Sequence, residues 1–182
     1  ILAGAPTDVK NRSNHLKAFG YFCDAAVVGV CRLPRAALLK QPHSNPDVAR
    51  LARDLKTRQI KTLASGIDTI MADLKDSLEA GPTTIDDHTH AIVFLYENPR
   101  DPEKNEVGTG WIADAQAHRA GLLASETAVV VANYLRLLGY AARGHTVSSS
   151  DVDLNRLAVA AGLAVVRDGG LTHPYIGSRF GL

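Results

Sequence analysis

Residues 90–97 read HAIVFLYE, an apolar run of strand length that follows the polar residues DDHT. A strand with one face in water alternates apolar and polar residues, whereas this run is apolar almost throughout. We therefore predict a strand buried on both faces. Such a strand belongs in a small sheet that helices cover.

Two further segments complete the predicted sheet. Asp24–Leu33 (DAAVVGVCRL) is rich in β-branched residues and stops at Pro34, which cannot donate to a strand ladder. The sheet is then predicted to contain Ala26–Leu33, Ala91–Tyr96 and Ala141–Val147. Loops are predicted at Pro42–Asn45 and Asn98–Gly110.

Apolar residues at helical spacing predict the covering helices. The helical segments are Val9–Phe22, a stretch with a break from Pro46 to Ala80, Trp111–Leu138 and Asp153–Ala161. Gly139 suits the position after the long helix, and Asp151 or Asp153 the N-cap of the last one. The tail after Gly162 is predicted to hold turns and one strand. The fold class is thus α/β or α+β.

The overall composition is that of a soluble globular protein. Of 182 residues, 46% are apolar and 21% charged, and the net charge is +1. Basic and acidic residues are interspersed, so we expect no nucleic-acid partner. The apolar runs are too short to span a bilayer and no signal peptide is evident, which favours a cytoplasmic protein without a membrane partner.

Three local patterns raise the question of chemistry. Asp86–His90 (DDHTH) offers imidazoles and carboxylates, but no distant third ligand follows a recognisable pattern, so we expect a polar loop and no metal. Cys23 and Cys31 are too few for an iron–sulfur cluster and have no evident catalytic base. Gly169-Gly170 matches no nucleotide-binding motif, and a tight turn explains it.

Four segments, in order, resemble the corrinoid-binding portion of reductive dehalogenases. They are HLKAFGYFCDAAVVGVCRLP (residues 15–34), HAIVFLYEN (90–98), ASETAVVVANYLRLLGYAARGH (124–145) and LAVAAGLAVVRDGGLTHPYIGSR (157–179). The most specific parts are Tyr134–Tyr140 and Ala161–Leu163. The resemblance implies a nitroreductase-like fold, with a small sheet packed against long helices.

The resemblance also implies chemistry for a parent enzyme. In that family the fold binds cobalamin base-off, and two [4Fe–4S] clusters follow in a ferredoxin-like part. Electrons from the clusters reduce the cobalt, the carbon–halogen bond of an organohalide is broken, and a tyrosine delivers a proton.

This sequence departs from the family pattern where the cofactor would sit. Counting back from Leu138-Gly139-Tyr140 to the family's tyrosine reaches Gly121. Glycines of the family's turn are replaced by Ala164 and by Val166 or Arg167, and added side chains there would hold the flat corrin ring away. The expected cluster cysteines are absent.

We therefore interpret residues 1–182 as one cobalamin-domain-like unit, the cofactor-free N-terminal copy in a catabolic, respiration-independent reductive dehalogenase. The chain begins without Met and ends as if entering another strand, so we expect a piece of a longer polypeptide. Its partners would be the cobalamin-binding and ferredoxin-like domains of that polypeptide, and the parent's substrate an organohalide.

Two alternatives stay open: a functional corrinoid-binding domain, and a free-standing flavin- or nucleotide-binding module. We expect no catalytic, cofactor-binding or metal residue in the chain. If it does bind a cofactor, the candidates are Gly162, Gly169, Gly170, His173, Gly177 and Arg179.

Overall fold

The computed structural model describes residues 8–47, 50, 53–54, 84–98, 103, 105–109 and 115–182. These residues form strands β1 (Val27–Arg32), β2 (Leu38–Ser44), β3 (His90–Glu97), β4 (Ser149–Val152), β5 (Val165–Arg167), β6 (Gly170–Thr172) and β7 (Phe180–Gly181). They also form helices α1 (Val9–Phe22), α2 (Ala115–Leu137) and α3 (Leu154–Ala160). The fold is α+β, as the sequence predicted.

The main sheet has the order β1-β3-β7, and both pairs are antiparallel. Val27 lies opposite Leu95 and Arg32 opposite His90, so β1 and β3 pair over their full common length. The two strands predicted from the apolar runs are therefore confirmed. In β3 the four residues 93–96 are all buried, as predicted for a strand covered on both faces.

Alternate residues of β3 enter two separate cores, because successive side chains of a strand point to opposite faces. Val93 and Leu95 pack with Leu157 and Ala158 of α3. Phe94 and Tyr96 pack on the other face, in a cluster with these residues of the link between α1 and β1, of β1 and of α2: Ala25, Val28, Ala120, Ala124 and Val131.

The helix boundaries follow local signals. Helix α1 spans the predicted residues, with the Asp8 carboxylate accepting from the Asn11 N–H at 3.0 Å. Helix α2 ends at Leu137, and Gly139, with a φ of 84°, forms the Schellman motif that follows it. Most of the predicted helix at 46–80, and residues 111–114 of the predicted long helix, lie outside the described residues. Pro46 and Asp47 are helical, as predicted.

The prediction of a third strand at Ala141–Val147 is wrong. Ala141–Val147 has no ladder, apart from an isolated bridge between Thr146 and Ser149. Instead β4 begins at Ser149 and pairs with β2, which occupies most of the predicted loop Pro42–Asn45. Gly144 lies against α2, because a Cβ at this position would be 3.1 Å from the Ala128 carbonyl oxygen. This segment therefore runs along the surface of the helix.

Pairing, and not hydrophobic pattern, makes β2 and β4 strands. Both are rich in polar residues, and β2 is exposed along nearly its whole length. Pro42 lies where the β2–β4 register breaks, which is a position that tolerates a residue without an N–H. Within the described ranges, no helix is both long enough and apolar enough to cross a bilayer.

Candidate functional site

The glycine-rich tail starts at the end of α3. The Asp153 carboxylate caps the start of this helix by accepting from the Arg156 N–H at 3.1 Å, which confirms one of the two predicted N-caps. At the other end Gly162 takes φ 71°, and the Leu163 N–H bonds to the Ala158 carbonyl at 2.9 Å. This is a Schellman motif, and its positive φ at Gly162 accounts for the glycine without any ligand.

The next glycines make a hairpin. Strands β5 and β6 pair with Arg167 opposite Gly170, leaving Asp168 and Gly169 as a two-residue turn. Gly169 has φ 99°, a conformation that glycine adopts without strain. The tail thus holds more strand than the single one predicted, since β5, β6 and β7 all lie in it.

His173 is the organiser of the following turn. Its backbone pairs with Gly177 in both directions, at 2.8 and 3.0 Å, and Gly177 has φ 73°. Its buried ring accepts the Tyr175 and Ile176 N–H groups at Nδ1, both at 3.3 Å. Nδ1 of His173 is therefore occupied by the chain itself.

The glycines of the tail are not needed to let another part of the chain approach closely. A Cβ at Gly162, Gly169, Gly170 or Gly177 would meet no atom within 4 Å. Ala164 corrects the sequence interpretation, since it is 3% exposed and belongs to the core, where its methyl group cannot meet a surface ligand. Val166 does project outward, with 73% exposure, and so does Tyr175 with 94%.

Arg179 and Gly181 connect this tail to the main sheet. The Arg179 carbonyl accepts the Asn98 N–H at 2.9 Å, and the residue is exposed. Gly181 lies against α2, because a Cβ there would come within 2.7 Å of Ala120 and Gly121 backbone atoms. The tail is thus anchored beside Gly121, the position reached above by counting back from Leu138-Gly139-Tyr140.

The phenol nearest to this region along the preceding chain, Tyr96, is not available as a surface acid. It is 3% exposed, and its hydroxyl lies between the Cys23 carbonyl and the Thr127 hydroxyl. Burial raises the pKa of Tyr96, and the hydrogen bond with Thr127 opposes that shift. This group ties α1, β3 and α2 together, and sequence reasoning did not identify it.

Asp86, Asp87 and His90 of the DDHTH segment have partners within the chain, whereas both ring nitrogens of His88 are buried without a hydrogen-bond partner among the described residues. Asp86 pairs with Arg35 at 3.3 Å, Asp87 accepts from the Thr84 hydroxyl at 2.9 Å, and the His90 Nδ1 lies 2.9 Å from the Thr89 hydroxyl. Among the described residues, no group of three or more His, Cys, Asp or Glu side chains is placed to hold a metal ion.

We predict that purified protein carries no stoichiometric zinc at this segment, because Asp86, Asp87 and His90 each already have a protein partner. Elemental analysis checks this, with the His88→Ala/His90→Ala double variant as the control. Stoichiometric zinc that disappears in the double variant would contradict the prediction.

The two cysteines are not activated. Burial raises the pKa of the Cys23 thiol, and the nearby Asp24 and Glu126 carboxylates raise it further. Burial likewise raises the pKa of Cys31. A nucleophilic cysteine needs the opposite shift, so these pKa directions favour the prediction that the two thiols are packing groups.

A buried polar cluster near β4 was not foreseen from the sequence. Arg143 forms an ion pair with the buried Asp151 at 2.9 Å. The Asp151 N–H donates to His145 Nδ1 at 3.3 Å. Burial lowers the pKa of His145, and Arg143 and His88 lower it further while Asp151 opposes the shift. The fold therefore favours the neutral imidazole.

This cluster predicts a specific loss of stability in acid. A histidine whose pKa is lowered by folding takes up a proton more readily in the unfolded chain, whose value is about 6.5. Its contribution to stability is therefore complete above about pH 6.5 and is lost as the pH falls from there towards the folded-state value. Denaturant titrations at several pH values should show that His145→Gln flattens this part of the profile.

The control is His15→Gln, at an exposed position of α1, which also removes one imidazole. An unchanged pH profile in the His145 variant would mean that this residue does not carry the acid sensitivity.

Comparison with known proteins gives matches among solved structures. The chain is 34% identical to the catabolic reductive dehalogenase NpRdhA over 98% of its own length, with a TM-score of 0.66. The structures it matches are reductive dehalogenases. NpRdhA in complex with 3-bromo-4-hydroxybenzoic acid matches at 32% identity and TM-score 0.66, and a B12-dependent reductive dehalogenase at 32% and 0.65.

The match covers only a small part of these larger proteins. It spans 98% of this chain but only 20% of the length of each of these reductive dehalogenases. No protein-family model and no curated protein matches the chain. The likeness inferred from the four sequence segments is thus confirmed at the level of these enzymes.

Proposed function

We propose that this chain is the cofactor-free, N-terminal structural domain of a cobalamin- and iron–sulfur-dependent reductive dehalogenase of the catabolic type. Its similarity to one fifth of NpRdhA supports a domain role within a longer enzyme. The parent would remove halide reductively from an organohalide, in the cytoplasm. The α+β arrangement is compatible with the nitroreductase-like fold that the sequence resemblance implies.

The observation that carries the proposal is the self-contained geometry of the tail. Each positive-φ glycine at 162, 169 and 177 makes a turn of the chain's own backbone, and His173 Nδ1 is occupied by two backbone N–H groups. A turn that binds a corrin requires backbone atoms and hydrogen-bond donors that face the ligand. The exposed Val166 and Tyr175 side chains project from this same region. These residues do not fit a corrin.

The proton donor also has no counterpart at the aligned position. Gly121 supplies no acidic group, and a Cβ there would meet no atom within 4 Å. Tyr96 is buried, and its hydroxyl is hydrogen-bonded to the Cys23 carbonyl and the Thr127 hydroxyl.

The cofactors would belong to other parts of the parent. Two cysteines cannot supply the four thiolates of a [4Fe–4S] cluster. Cobalamin and two such clusters would reside in the following cobalamin-binding and ferredoxin-like domains, which are the proposed partners of this chain.

The test is the corrin content of the purified parent polypeptide. We expect one corrin per chain, and Val166→Asp and Tyr175→Ala variants that fold normally should retain it. Two corrins per chain, or loss of corrin in these variants with an unchanged melting temperature, would support a functional corrinoid-binding domain instead. A yellow, flavin-containing protein would support the free-standing module.

A further inference from the structure

Helix α2 carries an apolar stripe on the face that points away from the sheet. Its inner face packs on β3, β7 and α1, and Ala124 and Val131 belong to the core there. At 100° per residue, the opposite face holds four large apolar residues that are between 42% and 71% exposed: Leu122, Val129, Val130 and Leu137. A contiguous exposed apolar surface of this kind is typical of an interaction site.

The stripe has the spacing of a seam between two helices. Counting from Leu122, the positions that follow along this face are Glu126, Val129, Asn133 and Leu137. The steps between them are three or four residues, which keeps the side chains in line along one neighbouring helix. The shape of the surface therefore favours a helix as its partner.

The apolar residues of the stripe are arranged symmetrically about one point. That point lies between Val129 and Val130, and Leu122 and Leu137 are equally far from it in the sequence. An interface with a two-fold axis uses the same patch on both subunits, so the patch has to complement itself. An antiparallel copy of α2 centred on this point brings valine opposite valine and leucine opposite leucine.

The polar residues of the stripe follow the same symmetry. Glu126 and Asn133 are equally far from the centre, so the antiparallel copy brings the carboxylate of one opposite the amide of the other. The Asn133 Oδ1 already accepts from the Arg136 guanidinium, which leaves the amide N–H groups to donate to a carboxylate. A parallel copy would instead bring Glu126 opposite itself, and two like charges repel. The charge pattern therefore selects the antiparallel arrangement.

Helix α2 is already fixed within the chain. The Thr127 hydroxyl is hydrogen-bonded to the buried Tyr96, and the Phe19 ring packs edge-on against Tyr134 with ring centroids 5.0 Å apart. A helix held in this way loses little further backbone freedom when it associates, which lowers the entropic cost of binding.

We propose that the outer face of α2 is a dimerisation surface, on which a second copy of this chain packs its own α2 antiparallel across a two-fold axis. The axis passes between Val129 and Val130, and Leu122 contacts Leu137 of the partner subunit at both ends of the seam. This inference goes beyond the proposed function, which concerns the tail and its cofactor.

Disulfide trapping in the full polypeptide tests the geometry. Position 129 lies beside the axis in both copies, so Val129→Cys should form a disulfide-linked dimer on mild oxidation. The two copies of position 122 lie about 22 Å apart along the helices, and a disulfide requires Cα atoms within about 7 Å. Leu122→Cys alone should therefore stay unlinked, whereas mixing it with Leu137→Cys should give a linked dimer. The unaltered protein, which keeps Cys23 and Cys31, measures the background.

Sedimentation equilibrium measures the association itself. We expect a dimer of the unaltered protein, and Val129→Glu should raise its dissociation constant by about 100-fold or more, because two carboxylates would meet near the axis. The matched control is Val159→Glu on α3, since Val159 is 41% exposed and Val129 is 47% exposed. At dilutions where the unaltered protein is monomeric, Val129→Glu and Leu122→Ala should keep its melting temperature, which separates loss of association from loss of fold.

A protein that stays monomeric up to about 1 mM would overturn the inference, because the face would then be open or covered by another part of the same polypeptide. Equal weakening by Val129→Glu and Val159→Glu would overturn it too, since the dimer would then use another surface. So would self-linking of Leu122→Cys, which requires parallel helices. None of these results changes the corrin content, so failure here is distinguishable from failure of the proposed function.

Discussion

Replacing Leu95 with alanine should lower the free energy of unfolding by about 3 kcal/mol. Leu95 is fully buried in β3 and belongs to the core cluster that joins the sheet to α3. Truncation removes buried methyl groups and leaves a cavity between the sheet and the helix. Equilibrium denaturation followed by circular dichroism measures the change.

The matched control is Leu122→Ala on α2, where the leucine is 71% exposed. The same chemical change there should alter stability by less than about 0.5 kcal/mol. Equal losses in the two variants would contradict the placement of Leu95 at the centre of the core.

Gly20→Ala should destabilise the chain by about 2 kcal/mol, although alanine is a far better helix former than glycine. Gly20 lies in α1, and a Cβ there would come within 2.7 Å of Val28 and 2.8 Å of Phe94 side-chain atoms. Both neighbours are buried, so the helix has to move away from the sheet. Thermal and denaturant unfolding measure the loss.

Gly121→Ala in α2 is the control of opposite sign. A Cβ at this position would meet nothing within 4 Å, so the substitution should stabilise the chain by up to about 1 kcal/mol through helix propensity. A stabilising Gly20→Ala would show that α1 does not contact the sheet as closely as the structure has it.

Most helices and the central strands were predictable because their signals are local. The capping carboxylates Asp8 and Asp153, the glycine at 139 and the apolar run at 91–96 each act within a few residues of the element that they define. The turn roles of the tail glycines were predictable on the same grounds. These features need no knowledge of distant partners.

The candidate site was only partly predictable. Its departures from the family pattern could be read from aligned residues, but which atoms they contact could not. Ala164 was expected at the surface and lies in the core, and Tyr96 holds Cys23 and Thr127 across three elements. Such contacts depend on how layers pack, which no single stretch of sequence encodes.

The sequence by itself thus determined helices α1, α2 and α3, the two apolar strands and the turns of the tail, since steric and capping preferences of neighbouring residues decide them. Only the tertiary structure decided the β2–β4 pair and the buried cluster of His145 and Asp151. The strands β2 and β4 are polar, and β4 begins more than a hundred residues after the end of β2. Their pairing depends on backbone hydrogen bonds between residues far apart in the sequence, and the hydrophobic pattern carries no information about such bonds.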